Sequence, residues 1–174
     1  IDTDMTSREA ALELIALIKA IPTRIRICVW SAIPCTGGSV VQHTNKKNDS
    51  WEGLMTGHFK KYHALFSNLI DIAEVVVNRG GHLVLEWPDR CSYWSTPGVA
   101  ALKALPLGWL SFQSTGCAFG LLADSGPQTG LHVAKIWDIT TTIPELDVAL
   151  ARDCPGGHLH AKIQGAKLTK STEH

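Results

Sequence analysis

The chain carries no excess charge of either sign: 16 Lys and Arg residues stand against 16 Asp and Glu, a formal net charge of zero over 174 residues. That excludes a histone-like or polybasic nucleic-acid glue as a property of the whole chain. No apolar run reaches the roughly 18 to 20 residues a spanning helix needs, and no signal-peptide pattern opens the sequence, so no membrane partner is expected. No internal repeat is present, and 15 Gly and 8 Pro are too ordinary a usage for a collagenous or low-complexity chain. The 5 Cys are odd in number and irregular in spacing. That argues against a disulfide framework and for a reduced, intracellular setting, cytoplasmic or nuclear. What is present is apolar: 45% of residues are hydrophobic and only 18% charged. A chain of this length buries one core, so a single domain over 1–174 is expected, with an irregular basic tail over 154–174.

The apolar pattern predicts alternating helix and strand. Thr6-Ser7-Arg8-Glu9 offers a capping hydroxyl with an acid in the first turn. Ala11, Leu12, Leu14, Ile15, Leu17 and Ile18 follow at helical period until Pro22. Residues 25–30 form a short β-branched and aromatic run, read as a buried strand that Pro34 closes. A long polar loop is expected over 36–57, then a helix from Phe59 to Asn78 that stops at Gly80-Gly81. Leu83-Val84-Leu85 reads as a second buried strand, ending at Glu86-Trp87-Pro88. Beyond it, 99–105 reads as a short helix and 109–114 as a half-buried strand. Residues 117–122 are a candidate continuation of the sheet, 133–142 a β-branched strand, and 144–150 a helical segment. This order predicts an α/β fold: a Rossmann-like open sheet, mainly parallel, with an antiparallel strand pair at one edge.

Ligands of open parallel sheets gather beyond the carboxyl ends of the strands. Two such ends carry Cys35 and Glu86, a nucleophile when ionised and a carboxylate able to shuttle protons. A small loop residue and an exposed strand end would look the same in sequence. A second group is Cys154, His158 and His160, a thiolate and two imidazoles that suit zinc, with Cys117 or Cys91 as a possible fourth ligand. Solvated loop histidines are the alternative. Trp30 and Trp109 read as core, while Trp51 sits oddly in the polar loop, folded back or offered to a partner. Lys46-Lys47, Lys60-Lys61 and the tail lysines Lys162, Lys167 and Lys170 are the local basic clusters.

Pro34-Cys35 after one strand, Glu86 at the end of the next, and Gly126-Pro127-Gln128 further on resemble the catalytic core of DNA cytosine-5 methyltransferases. A closer likeness, over most of the chain, is to methyltransferase-like domains of phages and mobile elements. It is carried by Pro34-Cys35, Gly80-Gly81, Glu86-Trp87-Pro88 with Trp94, Gly116-Cys117-x-x-Gly120, Lys135 and Cys154-x-x-x-His158-x-His160. The resemblance implies an S-adenosylmethionine-dependent fold in which Cys35 attacks a pyrimidine ring and Glu86 contacts the base. It places Pro34, Gly37, Gly38, Ser39, Trp87, Trp94, Gln128 and Lys135 on the substrate side. Trp87 and Trp94 flank the rim, where an aromatic face would stack on a flipped base; Trp87, next to Pro88, reads equally as a hydrophobic lid over the sheet end. Asp4 and Ser31 fall on the cofactor side.

Three departures accompany it. Thr36-Gly37-Gly38-Ser39 replaces the usual residues after the cysteine, and His132 and Lys135 stand where an arginine pair is expected. No glycine-rich cofactor loop precedes Thr6. The expectation is the later part of a longer methyltransferase-like protein, or a domain that has lost its cofactor site. It would be an enzyme on a nucleic-acid base, an inactive binding or scaffold module, or a zinc-stabilised subunit completed by a partner.

Overall fold

The computed structural model describes residues 4–40, 42 and 50–162. Asp2, Lys46, Lys47, Lys167, Lys170 and the tail beyond 162 lie outside the described residues. Helix α1 spans Arg8–Ala20, and the Ser7 hydroxyl caps it by accepting from the Ala10 N–H at 3.4 Å. Strand β1 is Cys28–Ser31, helix α2 Trp51–Asn78 and strand β2 His82–Pro88. Helix α3 (Pro97–Lys103) leads to strand β3 (Leu110–Thr115), and strand β4 (Ile136–Thr141) to the single-turn helix α4 (Leu146–Leu150).

Helix α2 begins eight positions earlier than the apolar period suggests, because Trp51 opens it rather than lying in the polar loop. Its indole N–H folds back to donate to the Gln42 carbonyl at 3.1 Å. At the other end, Gly80 takes φ +67°, the left-handed conformation that closes a helix. The Gly80 N–H reaches Val77 O at 2.9 Å and the Gly81 N–H reaches Val76 O at 2.9 Å, the paired bonds of a Schellman stop.

The fold is α/β, with an open four-stranded mixed sheet in the order β1-β2-β4-β3. β1 and β2 are parallel, whereas β4 is antiparallel to both of its neighbours. The mainly parallel sheet expected from the sequence is corrected: only one of the three pairings is parallel, because β4 runs in reverse between β2 and β3. β1 is also not buried. It is an edge strand, with Cys28 exposed and Trp30 45% exposed, so Trp30 is not a core residue. Residues 117–122 do not extend the sheet: a 3-10 turn covers Gly116–Phe119, and Gly120 follows with φ +77°.

The main core lies between α1, α2 and one face of β2. Ala11, Ile15 and Ile18 meet Phe66, Leu69, Ile72, Ala73 and Val76, over Leu83, Leu85 and Trp87. At its upper end is an aromatic cluster: the Tyr62 and Tyr93 rings stack at 3.9 Å, and Trp87 meets Trp94 edge-on at 4.8 Å. The Trp87 indole N–H donates to Ile33 O at 2.6 Å, tying β2 to the chain that leaves β1. Outside this body, residues 116–135 and 152–162 form a lobe whose own core, among the described residues, is Ala123, Val133 and Ala161, with Leu121 and Leu131 beside them.

Candidate metal centre

The lobe is laced together by backbone bonds. Gly116 N–H donates to Lys135 O at 2.7 Å, Val133 N–H to Leu121 O at 2.9 Å and Ala123 N–H to Leu131 O at 2.9 Å. The chain leaving α4 then runs along the free edge of β3, where Thr115 N–H donates to Arg152 O at 2.9 Å. It turns through Pro155, Gly156 and Gly157, both glycines near φ +74°, and returns to pair with the lobe. Ala161 N–H reaches His132 O at 2.7 Å, and Lys162 N–H reaches Gln128 Oε1 at 2.6 Å.

This route brings four side chains to one point. The ligand atoms of Cys117, Cys154, His158 and His160 all lie within 4.8 Å of one another. Cys154 Sγ is 3.5 Å from His158 Nε2 and 3.4 Å from His160 Nε2. The two imidazole nitrogens are 3.0 Å apart, and His160 Nε2 is 3.4 Å from Cys117 Sγ. Three close neighbours on His160 Nε2 exceed what one ring nitrogen, with a single in-plane site, can hydrogen-bond. Convergence on a common centre accounts for all of them. Tetrahedral zinc, with Zn–S about 2.3 Å and Zn–N about 2.0 Å, spaces adjacent ligand atoms about 3.3–3.8 Å apart. The three sulfur–nitrogen distances fall in that range, and the nitrogen–nitrogen distance is a few tenths of an ångström shorter. Among the described residues no other group of three or more such side chains converges in this way.

The thiol chemistry points the same way. Burial pushes the Cys117 thiol above its ordinary pKa, and the neighbouring Cys154 thiol pushes it further. The Cys117 thiol therefore resists becoming a thiolate without a cation beside it, and a divalent metal reverses that balance. His132 packs its ring on His158 at 4.0 Å, and its buried Nδ1 has no hydrogen-bond partner among the described residues. No spacing rule marked this residue. The sequence singled it out only as standing, with Lys135, where the resembled family has an arginine pair.

The remaining candidates are dispersed. Cys35 sits at the mouth of a 3-10 turn (Thr36–Gly38), packed against the helix-side core beside Cys91 and Tyr93. Burial raises the Cys91 thiol to about 11 and the Tyr93 hydroxyl to about 12, with Cys35 adding to both. Gly37 and Gly38 are buried under Tyr93 and Cys91. A Cβ on Gly38 would stand 2.6 Å from Cys91 Sγ, so close packing accounts for these glycines. Pro34 is exposed, and the Ser39 carbonyl accepts from the Gln42 N–H at 3.0 Å.

Glu86 lies within β2 opposite Ile139, and its carboxylate accepts from Trp30 Nε1–H at 2.9 Å on the outer face of the sheet. Cys35 and Glu86 thus serve opposite faces. Trp87 is 2% exposed and belongs to the core, whereas Trp94 is half-buried. Gln128 anchors the returning strand through Lys162, and the Lys135 ammonium lies 5.2 Å from the Trp137 ring. Ser31 is buried at the end of β1. The Asp4 carboxylate accepts from the Thr6 N–H and hydroxyl, which hold it below the usual carboxylate range in the turn before α1. Cys91 lies outside the cluster, and Cys117 is its fourth member.

Comparison with protein-family models, curated proteins and solved structures found no match. No helix among the described residues is long and apolar enough to cross a membrane.

Proposed function

We propose that the chain is a zinc-stapled α/β binding module whose metal has a structural role. The convergence of Cys117, Cys154, His158 and His160 within 4.8 Å carries this reading. Four protein ligands close a tetrahedral zinc and leave no position for substrate, as structural rather than catalytic sites do. The lobe also needs such a staple, because a cluster of three buried residues is too small to hold a segment of this length. The test is metal analysis of the purified chain, with cobalt substitution to report thiolate ligation. About one equivalent of zinc is expected, together with a sulfur-to-cobalt absorption band lost in Cys154→Ala. Less than about a tenth of an equivalent, with no thermal shift on chelation, overturns the reading.

A second reading keeps the methyltransferase-like resemblance, with Cys35 and Glu86 acting on a nucleic-acid base and S-adenosylmethionine as cofactor. The parallel pairing of β1 with β2 supports it, since both chains then leave the sheet at one rim. The separation of Cys35 and Glu86 onto different faces favours an inactive binding module over an enzyme. β1 pairs with no second strand among the described residues, which suits a partner subunit extending the sheet there. Calorimetry with S-adenosylmethionine discriminates: saturable heat supports a cofactor site, and none at high micromolar concentration removes the enzymatic reading.

A further inference from the structure

The helix-side face of the sheet changes character halfway across. Under α1 and α2 it presents Leu83, Leu85 and Trp87 of β2. The registers Leu85↔Thr140 and Trp87↔Asp138, then Ser111↔Thr140 and Gln113↔Asp138, carry that same face onto β4 and β3. There it consists of four polar side chains in two bonded cross-strand pairs. The Ser111 and Thr140 hydroxyls are 2.9 Å apart, and Gln113 Nε2 donates to Asp138 Oδ1 at 2.9 Å. Core-facing strand positions are ordinarily apolar, so a polar floor here marks a face built for something other than packing.

A cleft of about 290 Å³ stands over this floor, with Trp94 and Lys103 as its walls. Lys103 closes α3 and holds its Nζ 3.3 Å from Ser111 Oγ and 5.9 Å from the Trp94 ring centroid. The indole N–H of Trp94 is buried and finds no acceptor among the described residues. The ion pairs among the described residues are Arg8–Asp71 and Arg90–Asp89, so neither Lys103 nor Asp138 has a counter-ion there. One unpaired cation and one unpaired anion therefore face the same cleft.

We propose that this cleft binds a small zwitterion, its cationic group on Asp138, its anionic group on Lys103 and its linking chain against Trp94. A ligand of single charge would cover one of these groups and leave it without a counter-ion, a cost that selects against it. The two polar pairs lie two residues apart along each strand, about 7 Å, with Lys103 Nζ bonded at one pair and the Asp138 carboxylate in the other, so the ligand's charges need a separation of about that size. The ammonium and carboxylate of an α-amino acid are too close together to span that distance, whereas an ω-amino acid with a five-carbon chain matches it. The volume sits at the lower end of the roughly 300–1,000 Å³ found for ligand pockets and suits a molecule of that size.

The test is a nitrogen–proton NMR titration of the metal-loaded chain, following the indole N–H signal of Trp94 as assigned by its loss in Trp94→Phe. The probe is 5-aminovalerate, with pentylamine and pentanoate as its single-charge counterparts. A saturable shift with a Kd of about 1–10 mM is expected, with each counterpart weaker by about tenfold or more. Asp138→Asn and Lys103→Met each weaken the probe by a similar factor and leave the zinc content unchanged, which separates this cleft from the metal centre. No saturable shift up to ~100 mM, an equal response to the single-charge compounds, or undiminished binding in both variants overturns the proposal. The three-compound comparison on the unaltered chain decides the matter even where a variant loses its fold.

Discussion

The body around α1, α2 and β2 and the lobe of residues 116–135 and 152–162 are held by different means. The body buries Leu83, Leu85, Val76 and Val99 almost completely and closes over Trp87 and Tyr93, so dispersion and water exclusion keep it together. The lobe buries Ala123, Val133 and Ala161, two of them with little side chain to bury, and gathers two thiols and two imidazoles at its far point. Where the core is too small to repay the entropy of ordering the chain, the proposed zinc would do so by crosslinking it.

Removing the metal tests this contrast most severely. Chelation, or Cys117→Ala with Cys154→Ala, is expected to cost the lobe more than about 4 kcal/mol. Hydrogen exchange should then quicken over 116–135 and 150–162 while α1, α2 and β2 stay protected. Equal loss throughout would show that the two regions share one cooperative unit. Trp87→Ala should do the reverse, costing about 3–5 kcal/mol in the body while the lobe still takes up its metal, as read by denaturant unfolding beside zinc content.

Alkaline pH is expected to act on the body through its buried thiol and phenol. The unfolded chain releases these protons near 9 and 10, whereas the folded chain holds Cys91 to about 11 and Tyr93 to about 12. Between those values the native state binds more protons than the unfolded state, so stability falls as pH rises. A Tm declining by several degrees between pH 8.5 and 11, less steeply in Cys91→Val, is the expected result, and a flat profile contradicts it. The smallest effect is that of Gly80→Ala. With φ +67° and nothing within 4 Å of an added Cβ, it should cost only about 1 kcal/mol of backbone strain, measurable as a small fall in Tm.

Much of the body was legible in the sequence. The Ser7 cap, the apolar stripe of α1 and the glycine stop of α2 are local signals, and each sets the geometry that it predicts. What misled were features decided at long range. Residues 25–30 read as a buried strand because apolar runs look alike whether or not a neighbour covers them, and among the described residues β1 has a neighbour on one side only. The antiparallel pair at one edge was expected, and β3 with β4 forms it; that β4 also runs against β2 left no local trace, since strand direction depends on where the chain re-enters the sheet. Of the metal ligands, three lie within seven residues and could be found together. The fourth could not be chosen between Cys91 and Cys117, because only the route along the edge of β3 brings Cys117 near. Cys35 and Glu86 shared a rim in the reading of strand ends, but a residue within a strand faces the side its register dictates, and for Glu86 that is the Trp30 side.

The insertion of β4 between β2 and β3 also sets an order of events during synthesis. Among the described residues β3, at residues 110–115, has β4 as its only strand partner in the sheet, and β4 begins at residue 136, beyond most of the lobe. The first two strands and their helices can associate as soon as they emerge. β3 must wait, its ladder groups bonded to water, until residues 116–135 have been made and the chain has turned back. Completion of the sheet is therefore a late, non-local step, and β3 is the segment that spends longest as an unpaired edge open to the wrong strand.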